Sequence, residues 1–101
     1  MVKYKCKCCG YYTLLEKPLD PHRYPGTFEI CPVCDWEDDS LQFLNPDKNF
    51  GPNKVSLNEA KLNFKKFGAK RSESLKFVRK VRNDEIGTDG DVRLSNKLLS
   101  D

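Results

Sequence analysis

The chain has 101 residues, 38% of them apolar, and its 18 Lys and Arg against 15 Asp and Glu give a net charge of +3. This length predicts a single domain whose thin core needs an additional stabilising element. No apolar run approaches about 18 residues, so we expect no transmembrane helix, and the polar N-terminal segment predicts no signal peptide. With a single His and no glycine-rich phosphate loop, the composition favours a non-enzymatic, cytoplasmic protein.

The first predicted elements are short strands separated by turns. Tyr4 to Cys6 and residues 11–14 are rich in residues that favour extended backbone, and Gly10 lies between them. A loop with three prolines covers residues 18–26, and residues 27–30 (Thr-Phe-Glu-Ile) predict a further strand.

Four cysteines are spaced as C-x2-C-x21-C-x2-C, at Cys6, Cys9, Cys31 and Cys34. Two thiolates separated by two residues converge on one ion, and four of them complete the closed tetrahedron of a structural zinc site. Gly10 follows the first pair and supplies the positive φ that such a turn needs; Asp35, at the same place after the second pair, tolerates that conformation. The pattern therefore predicts one structural zinc per chain in a zinc ribbon, with two hairpins joined at one end.

Three alternatives at this site stay open on sequence alone. An iron centre of rubredoxin type uses the same four thiolates. Cys8 is a fifth cysteine, and the two-residue spacing favours Cys6 and Cys9 over it as ligands. Cys8 is then a reactive thiol, a group that supports the ligands or a small side chain packed beside the metal. His22, which lies among prolines, could replace one cysteine ligand, but the preferred interpretation is an ordinary loop residue.

Helical signals begin after a loop at residues 45–53. Ser56 followed by Glu59 forms a capping box, and Gly68 is a typical helix end, which predicts a helix over about 57–67. The apolar residues at helical spacing, predicted to be buried, are Leu57, Ala60, Phe64 and Phe67.

A second helix is predicted from Ser72 to near Asn83. The fold class is therefore α+β: a small N-terminal zinc ribbon of short antiparallel strands followed by two packed helices. The predicted domain covers residues 1–83, and residues 84–101 form a polar C-terminal extension, either a short docked helix or a loose tail.

Several segments of the chain together resemble the CPCC family of small bacterial cysteine-rich proteins. They are Cys6-Lys7-Cys8-Cys9-Gly10, residues 26–34 (GTFEICPVC), residues 36–39 (WEDD), residues 55–60 (VSLNEA) and residues 63–69 (NFKKFGA). The resemblance spans roughly residues 4–80, and Lys7 stands where the family has its name-giving proline. It implies a shared fold more than an activity.

The charges along the chain are strongly segregated. Residues 35–47 carry five acids and no base, whereas residues 48–82 carry eleven bases and two acids. Because four acids surround one Trp, we predict a partner-binding surface that docks into a basic protein, as in an immunity-type inhibitor of a bacterial toxin. Its residues are Asp35, Trp36, Glu37, Asp38 and Asp39. The competing interpretation is that these acids pair internally with the basic segment.

The alternative function is nucleic-acid binding by the basic segment, since zinc ribbons often bind nucleic acids and clustered bases can contact phosphates. The bases proposed for this contact lie within residues 54–82: Lys54, Lys61, Lys65, Lys66, Lys70, Arg71, Lys76, Arg79, Lys80 and Arg82. Exposed aromatic residues between these bases are not expected, because Phe64 and Phe67 belong to the predicted buried stripe. Oligomeric state has no signal in the sequence.

Overall fold

The computed structural model describes residues 2–87. Two short strands and two α-helices are followed by two 3₁₀ helices. They are β1 (Tyr4–Lys5), β2 (Tyr12–Leu14), α1 (Ser40–Leu44), α2 (Leu57–Phe67) and 3₁₀ helices at Ser72–Phe77 and Asn83–Glu85. This arrangement, with a cysteine cluster at the strand end of the chain, confirms the α+β, zinc-ribbon-like fold class.

The N-terminal hairpin forms as predicted. β1 and β2 pair antiparallel, with Tyr4 opposite Leu14 and Lys5 opposite Tyr12, and the register shifts between Tyr4 and Lys5. All three side chains of β2 are buried. Leu14 joins the core, so the hairpin is fixed on the cysteine cluster rather than standing alone.

The predicted strand at residues 27–30 is wrong as a regular element. Phe28 has a φ of +62°, which interrupts extended backbone, and Ile30 makes only an isolated antiparallel bridge to Glu37. Backbone hydrogen bonds still join this segment to residues 36–38, including Phe28 N–H to Asp38 O at 3.1 Å. The second hairpin of the ribbon is therefore present but irregular.

Helix α1 was not predicted, although its start carries a local signal. The Asp39 carboxylate accepts a hydrogen bond from Gln42 N–H at 2.9 Å, which is the standard side-chain contact of a helix N-cap. The helix has only five residues, too few for an apolar periodicity to be recognisable.

Helix α2 has the predicted bounds and both predicted caps. Ser56 Oγ accepts from Glu59 N–H at 3.0 Å, and Gly68 ends the helix with a φ of +99°. Leu57 and Ala60 are buried as expected, and Phe64 packs partly buried against the core. Phe67 is 39% exposed, so the prediction that it belongs to the buried stripe was wrong.

The predicted second α-helix is instead a 3₁₀ helix that ends at Phe77. Its first residue has no side-chain cap, and Ser74 Oγ donates to Asp35 at 2.7 Å. Beyond it, Arg79 N–H donates to Pro32 O at 3.0 Å, so the backbone pairs with the second cysteine turn instead of continuing a helix. Phe77 is 66% exposed, which removes the apolar face that would have held an α-helix in place.

The core is built around the cysteines. Its buried members are Cys6, Cys8, Leu14, Cys31, Val33, Cys34, Trp36, Val55, Leu57 and Ala60. Within residues 2–87, every helix falls short of the length and apolar character that crossing a membrane requires.

Glu85 lies beyond the predicted domain end at residue 83, yet its side chain is buried. It accepts two hydrogen bonds from Arg79, at 2.6 and 2.9 Å, one from Arg82 N–H at 2.9 Å, and one from Lys3 at 3.3 Å. These contacts attach residues 79–85 to Lys3, the residue before β1. The remainder of the predicted extension, residues 88–101, lies outside the described residues.

The buried Glu85 carboxylate predicts how the stability of the domain depends on pH. Hydrogen bonds from Arg79 lower its pKa to about 2, and the Arg82 N–H and Lys3 act in the same direction. Because the folded-state pKa lies below that of an unfolded Glu, about 4.3, its stabilising contribution is complete above that pH and is lost as the pH falls toward 2. We expect the urea midpoint of Glu85→Gln to lie well below that of the wild type at neutral pH, and the gap to narrow below about pH 4. The exposed Glu16→Gln is the control, and a gap that does not change with pH would contradict this role.

Phe64→Ala tests the packing of α2. The Phe64 ring is only partly buried and meets the Tyr11 ring edge-on, with 6.1 Å between centroids. We therefore expect a loss of about 2 kcal/mol, less than the roughly 3–5 kcal/mol of a fully buried Phe. Thermal or urea unfolding measures it, and an unchanged curve would show that this face of α2 does not support the core.

Candidate metal centre

The two cysteine turns have the same backbone hydrogen bonds. In the first turn, Gly10 N–H donates to Cys6 O at 2.9 Å and Cys6 N–H donates to Tyr11 O at 2.8 Å. In the second, Asp35 N–H donates to Cys31 O at 2.8 Å and Cys31 N–H donates to Trp36 O at 2.9 Å. The residues after each pair have the predicted positive φ, +81° at Gly10 and +73° at Asp35. Each turn thus presents two thiols to the same side.

The four predicted cysteines come together. The Sγ atoms of Cys6, Cys9, Cys31 and Cys34 all lie within 4.8 Å of one another. Cys6 and Cys34 are 3.6 Å apart at sulfur, and Cys9 and Cys31 are 3.8 Å apart. A tetrahedral ion with metal–sulfur distances of about 2.3 Å requires sulfurs about 3.8 Å apart. The cluster therefore has the size that a four-thiolate metal site needs.

Two groups hydrogen-bond to Cys31 and orient it. Thr13 Oγ1 lies 2.9 Å from the Cys31 sulfur, and Val33 N–H donates to the same sulfur at 3.4 Å. A thiolate with such donors is stabilised and held in one rotamer. Sequence reasoning missed Thr13, because its role depends on β2 crossing the second turn and no local pattern encodes that approach.

The pKa values of the four thiols depend on one another. Hydrogen bonds from Cys34, Cys6 and Cys9 hold the pKa of Cys31 far below its usual range. The hydrogen bond to Cys31 in turn raises the pKa of Cys9 and of Cys34. One thiolate is thus stabilised by three neighbouring thiols, and ionising all four requires a positive ion between them.

Thr13→Val tests the hydrogen bond to Cys31 while keeping side-chain shape. Loss of such a partner to a metal ligand typically lowers metal affinity by about 10–100-fold. We expect a competition titration with a chromophoric chelator to show a loss in this range, with Thr27→Val as a matched control on a threonine that does not bond a ligand cysteine. Equal affinities of the wild type and Thr13→Val would contradict the role of Thr13.

Neither Cys8 nor His22 is one of the four converging residues. Cys8 is buried in the core cluster, and its sulfur is not among the four that converge. His22 is exposed in the proline-rich loop, where its backbone N–H donates to Asp20 at 3.0 Å.

The predicted acidic surface is corrected by the structure. Trp36 is 1% exposed, Asp38 is 5% exposed and Asp39 is 8% exposed, so the aromatic anchor and two carboxylates are not at the surface. Asp38 binds Lys7 Nζ at 2.9 Å and accepts from both the N–H and the hydroxyl of Thr27 at 3.0 Å. These acids therefore bond polar groups within the domain, as the competing interpretation of internal pairing expected. Their partner Lys7, however, lies outside the basic segment that was expected to pair with them.

Asp35 and Glu37 are half-buried and also contact the domain. Asp35 accepts from Ser74 and lies 3.9 Å from Lys70 Nζ, and Glu37 N–H donates to Asn53 Oδ1 at 2.7 Å. Lys70 itself is buried, donates to Asn53 at 3.1 Å, and has its pKa lowered by desolvation. Lys70 was expected among the phosphate-contacting bases, and its burial makes that expectation wrong.

The family model described as "Cysteine-rich CPCC" matches residues 4–85. The chain belongs to this family. The match extends the resemblance from the cysteine turns through the Glu85 cluster, so the family covers nearly all of the described fold.

Two curated proteins of Bacillus subtilis (strain 168) share part of the chain. It is 47% identical over 34 residues to one named "Uncharacterized protein YoaQ" and 49% identical over 35 residues to one named "Uncharacterized protein YozI". Each match covers 34% of this chain and 29% of the relative. The similarity is therefore to less than a third of each relative.

Proposed function

We propose that this protein is a non-enzymatic structural-zinc protein, with one zinc held by Cys6, Cys9, Cys31 and Cys34, and that it acts as a protein-binding module. The observation that carries the zinc proposal is the convergence of four thiols within 4.8 Å from two equivalent turns. Four protein ligands fill a tetrahedron and leave no position for a water or substrate, which favours a structural over a catalytic ion.

Zinc is preferred to iron because closed sites of four cysteines are a common structural setting for zinc. The two metals are separated by absorption, since ferric tetrathiolate absorbs visible light and zinc tetrathiolate is colourless. Elemental analysis of the purified full chain should give one zinc per chain, and a coloured protein with one iron per chain would overturn this assignment.

Exposed apolar side chains support the protein-binding role. In the stretch from residue 28 to residue 50, six large apolar side chains are between 37% and 60% exposed: Phe28, Ile30, Leu41, Phe43, Leu44 and Phe50. Phe28 N–H donates to Asp38 O and Ser40 N–H donates to Pro25 O, so the residue 25–30 segment is tied to the start of α1. A contiguous exposed apolar patch marks an interaction site, and we propose that these side chains form one.

The proposed partner is consequently a protein with an apolar contact surface. The inhibitor hypothesis placed the contact on residues 35–39, and the internal bonds of Asp38 and Asp39 remove that basis. Leu41→Ser with Phe50→Ser should abolish capture of a partner that the wild type retains, and Leu62→Ser, which changes an equally exposed residue of α2, is the matched control. Equal capture by all three proteins would contradict the proposed surface.

A second candidate function, nucleic-acid binding, is favoured by two unexpected aromatic residues. Phe67 and Phe77 are exposed, and Lys76 Nζ lies 5.3 Å from the centre of the Phe77 ring. Among the described residues, the bases of the segment without a carboxylate partner within 4.0 Å are Lys54, Lys61, Lys65, Lys66, Lys76, Lys80 and Arg82. Aromatic rings between free bases suit single strands.

This candidate is tested by titrating labelled single-stranded RNA at two salt concentrations. Lys65→Gln with Lys66→Gln should weaken binding and reduce its salt dependence, whereas Lys48→Gln should not. Absence of salt-sensitive binding would exclude the nucleic-acid role.

A further inference from the structure

A cleft of about 620 Å³ opens beside the first cysteine turn. Its walls come from β1 and β2, from the turn itself, from α1 through Phe43 and from α2 through Lys61. Small-molecule sites typically have about 300–1,000 Å³, so the cleft is large enough for a ligand with one ring system.

Apart from the cysteines, the charged side chains that line this cleft are all basic. Four lysines line it, Lys3, Lys5, Lys7 and Lys61, and no Asp or Glu of the described residues does. Lys7 is held by Asp38 at 2.9 Å, and Lys3 by Glu85 and Asp84 at 3.3 Å. Lys5 and Lys61 have no carboxylate within 4.0 Å in the part of the chain that the structure describes, so their charges are free to meet an anion.

The remaining wall is aromatic. Tyr4, Tyr12 and Phe43 line it, and Phe43 is partly exposed. Lys7 Nζ lies 5.3 Å from the centre of the Phe43 ring, which fixes a cation beside an aromatic face. A base packed against these rings would bring an attached phosphate into the same cleft as the lysines.

We propose that this cleft binds a nucleotide unit, with the base against the aromatic wall and the phosphate between Lys5 and Lys61. The nucleotide is either free or part of a single strand, and the site goes beyond the proposed zinc and protein-binding functions. The rival explanation is that the lysines only balance the negative charge of the thiolates, since Cys6 and Cys9 also line the cleft.

The test uses the zinc-loaded full chain, titrated with AMP, inorganic phosphate and penta-adenylate by heteronuclear NMR. We expect saturable shifts of residues 4–12 with AMP, and at least about tenfold weaker binding to Lys5→Gln with Lys61→Gln, since hydrogen bonds to charged groups are of that size. The control, Lys48→Gln with Lys80→Gln, removes two exposed lysines outside the cleft and should bind AMP like the wild type.

Phe43→Leu tests the contribution of the aromatic ring to binding. This substitution should weaken the binding of AMP and leave the binding of phosphate unchanged. Stronger binding of penta-adenylate than of AMP identifies a single strand as the source of the nucleotide, and equal binding identifies a free nucleotide. The proposal is overturned if neither ligand saturates, if phosphate binds as tightly as AMP, or if the control loses as much affinity. It is also overturned if Lys5→Gln with Lys61→Gln loses zinc yet binds AMP unchanged, because the lysines then serve the metal.

Discussion

Replacing Cys31 with Ser is expected to unfold the domain. Its side chain is fully buried, receives hydrogen bonds from Thr13 and Val33, and lies within the core cluster. A structural zinc supplies roughly 10–16 kcal/mol of apparent binding energy, whereas a whole small domain has a stability of about 5–15 kcal/mol. The loss of one ligand therefore exceeds what a thin core can compensate, and circular dichroism with zinc analysis should show an unfolded, metal-free chain.

Cys8→Ser is the matched control for this substitution. Cys8 is buried beside the cluster but is not one of the four converging sulfurs, so its variant should keep one metal per chain. We expect only the modest loss of stability that follows from placing a hydroxyl in an apolar core, about 1–3 kcal/mol. If Cys8→Ser loses its metal while Cys9→Ser keeps it, Cys8 is the ligand and Cys9 is not.

The second large effect is expected when Asp38 and Asp39 are both replaced with Asn. Burial alone raises the pKa of Asp38, but hydrogen bonds from Thr27 and Lys7 lower it below its usual range. The carboxylate is therefore ionised and accepts these hydrogen bonds in its charged form. Asn at position 39 can still cap α1, since Asn and Asp are similarly good N-caps. The loss therefore comes from Asp38, and hydrogen bonds to a charged group predict about 3 kcal/mol.

Urea unfolding measures this loss, with Glu16→Gln as a control that removes an exposed acid. The control should unfold like the wild type. An unchanged midpoint for the Asp38 and Asp39 variant would mean that these carboxylates are not needed internally, which would restore the acidic partner-binding surface.

The parts of the fold that could be predicted are those that local chemistry determines. Ser56, Glu59 and Gly68 define both ends of α2 through contacts within three residues or through backbone φ. The cysteine turns are equally local, since spacing and a residue that accepts positive φ suffice to bring two thiols together.

The predictions that were wrong concern segments whose structure depends on residues distant in the sequence. Phe28 adopts a positive φ where its neighbours favour a strand, and residues 72–77 form a 3₁₀ helix while Ser74 bonds Asp35, 39 positions earlier. The acidic segment was interpreted by its net charge, yet Lys7 and Thr27, which neutralise and satisfy Asp38, lie far away in the sequence. Charge counts along a chain cannot show such pairing.

Native mass spectrometry of the full chain, purified without added metal or chelator, tests the central claim most directly. We predict one zinc per chain in the wild type and in Cys8→Ser, and none in Cys31→Ser. A folded wild-type chain that carries no metal, or a Cys31→Ser chain that keeps its fold and its zinc, would contradict it.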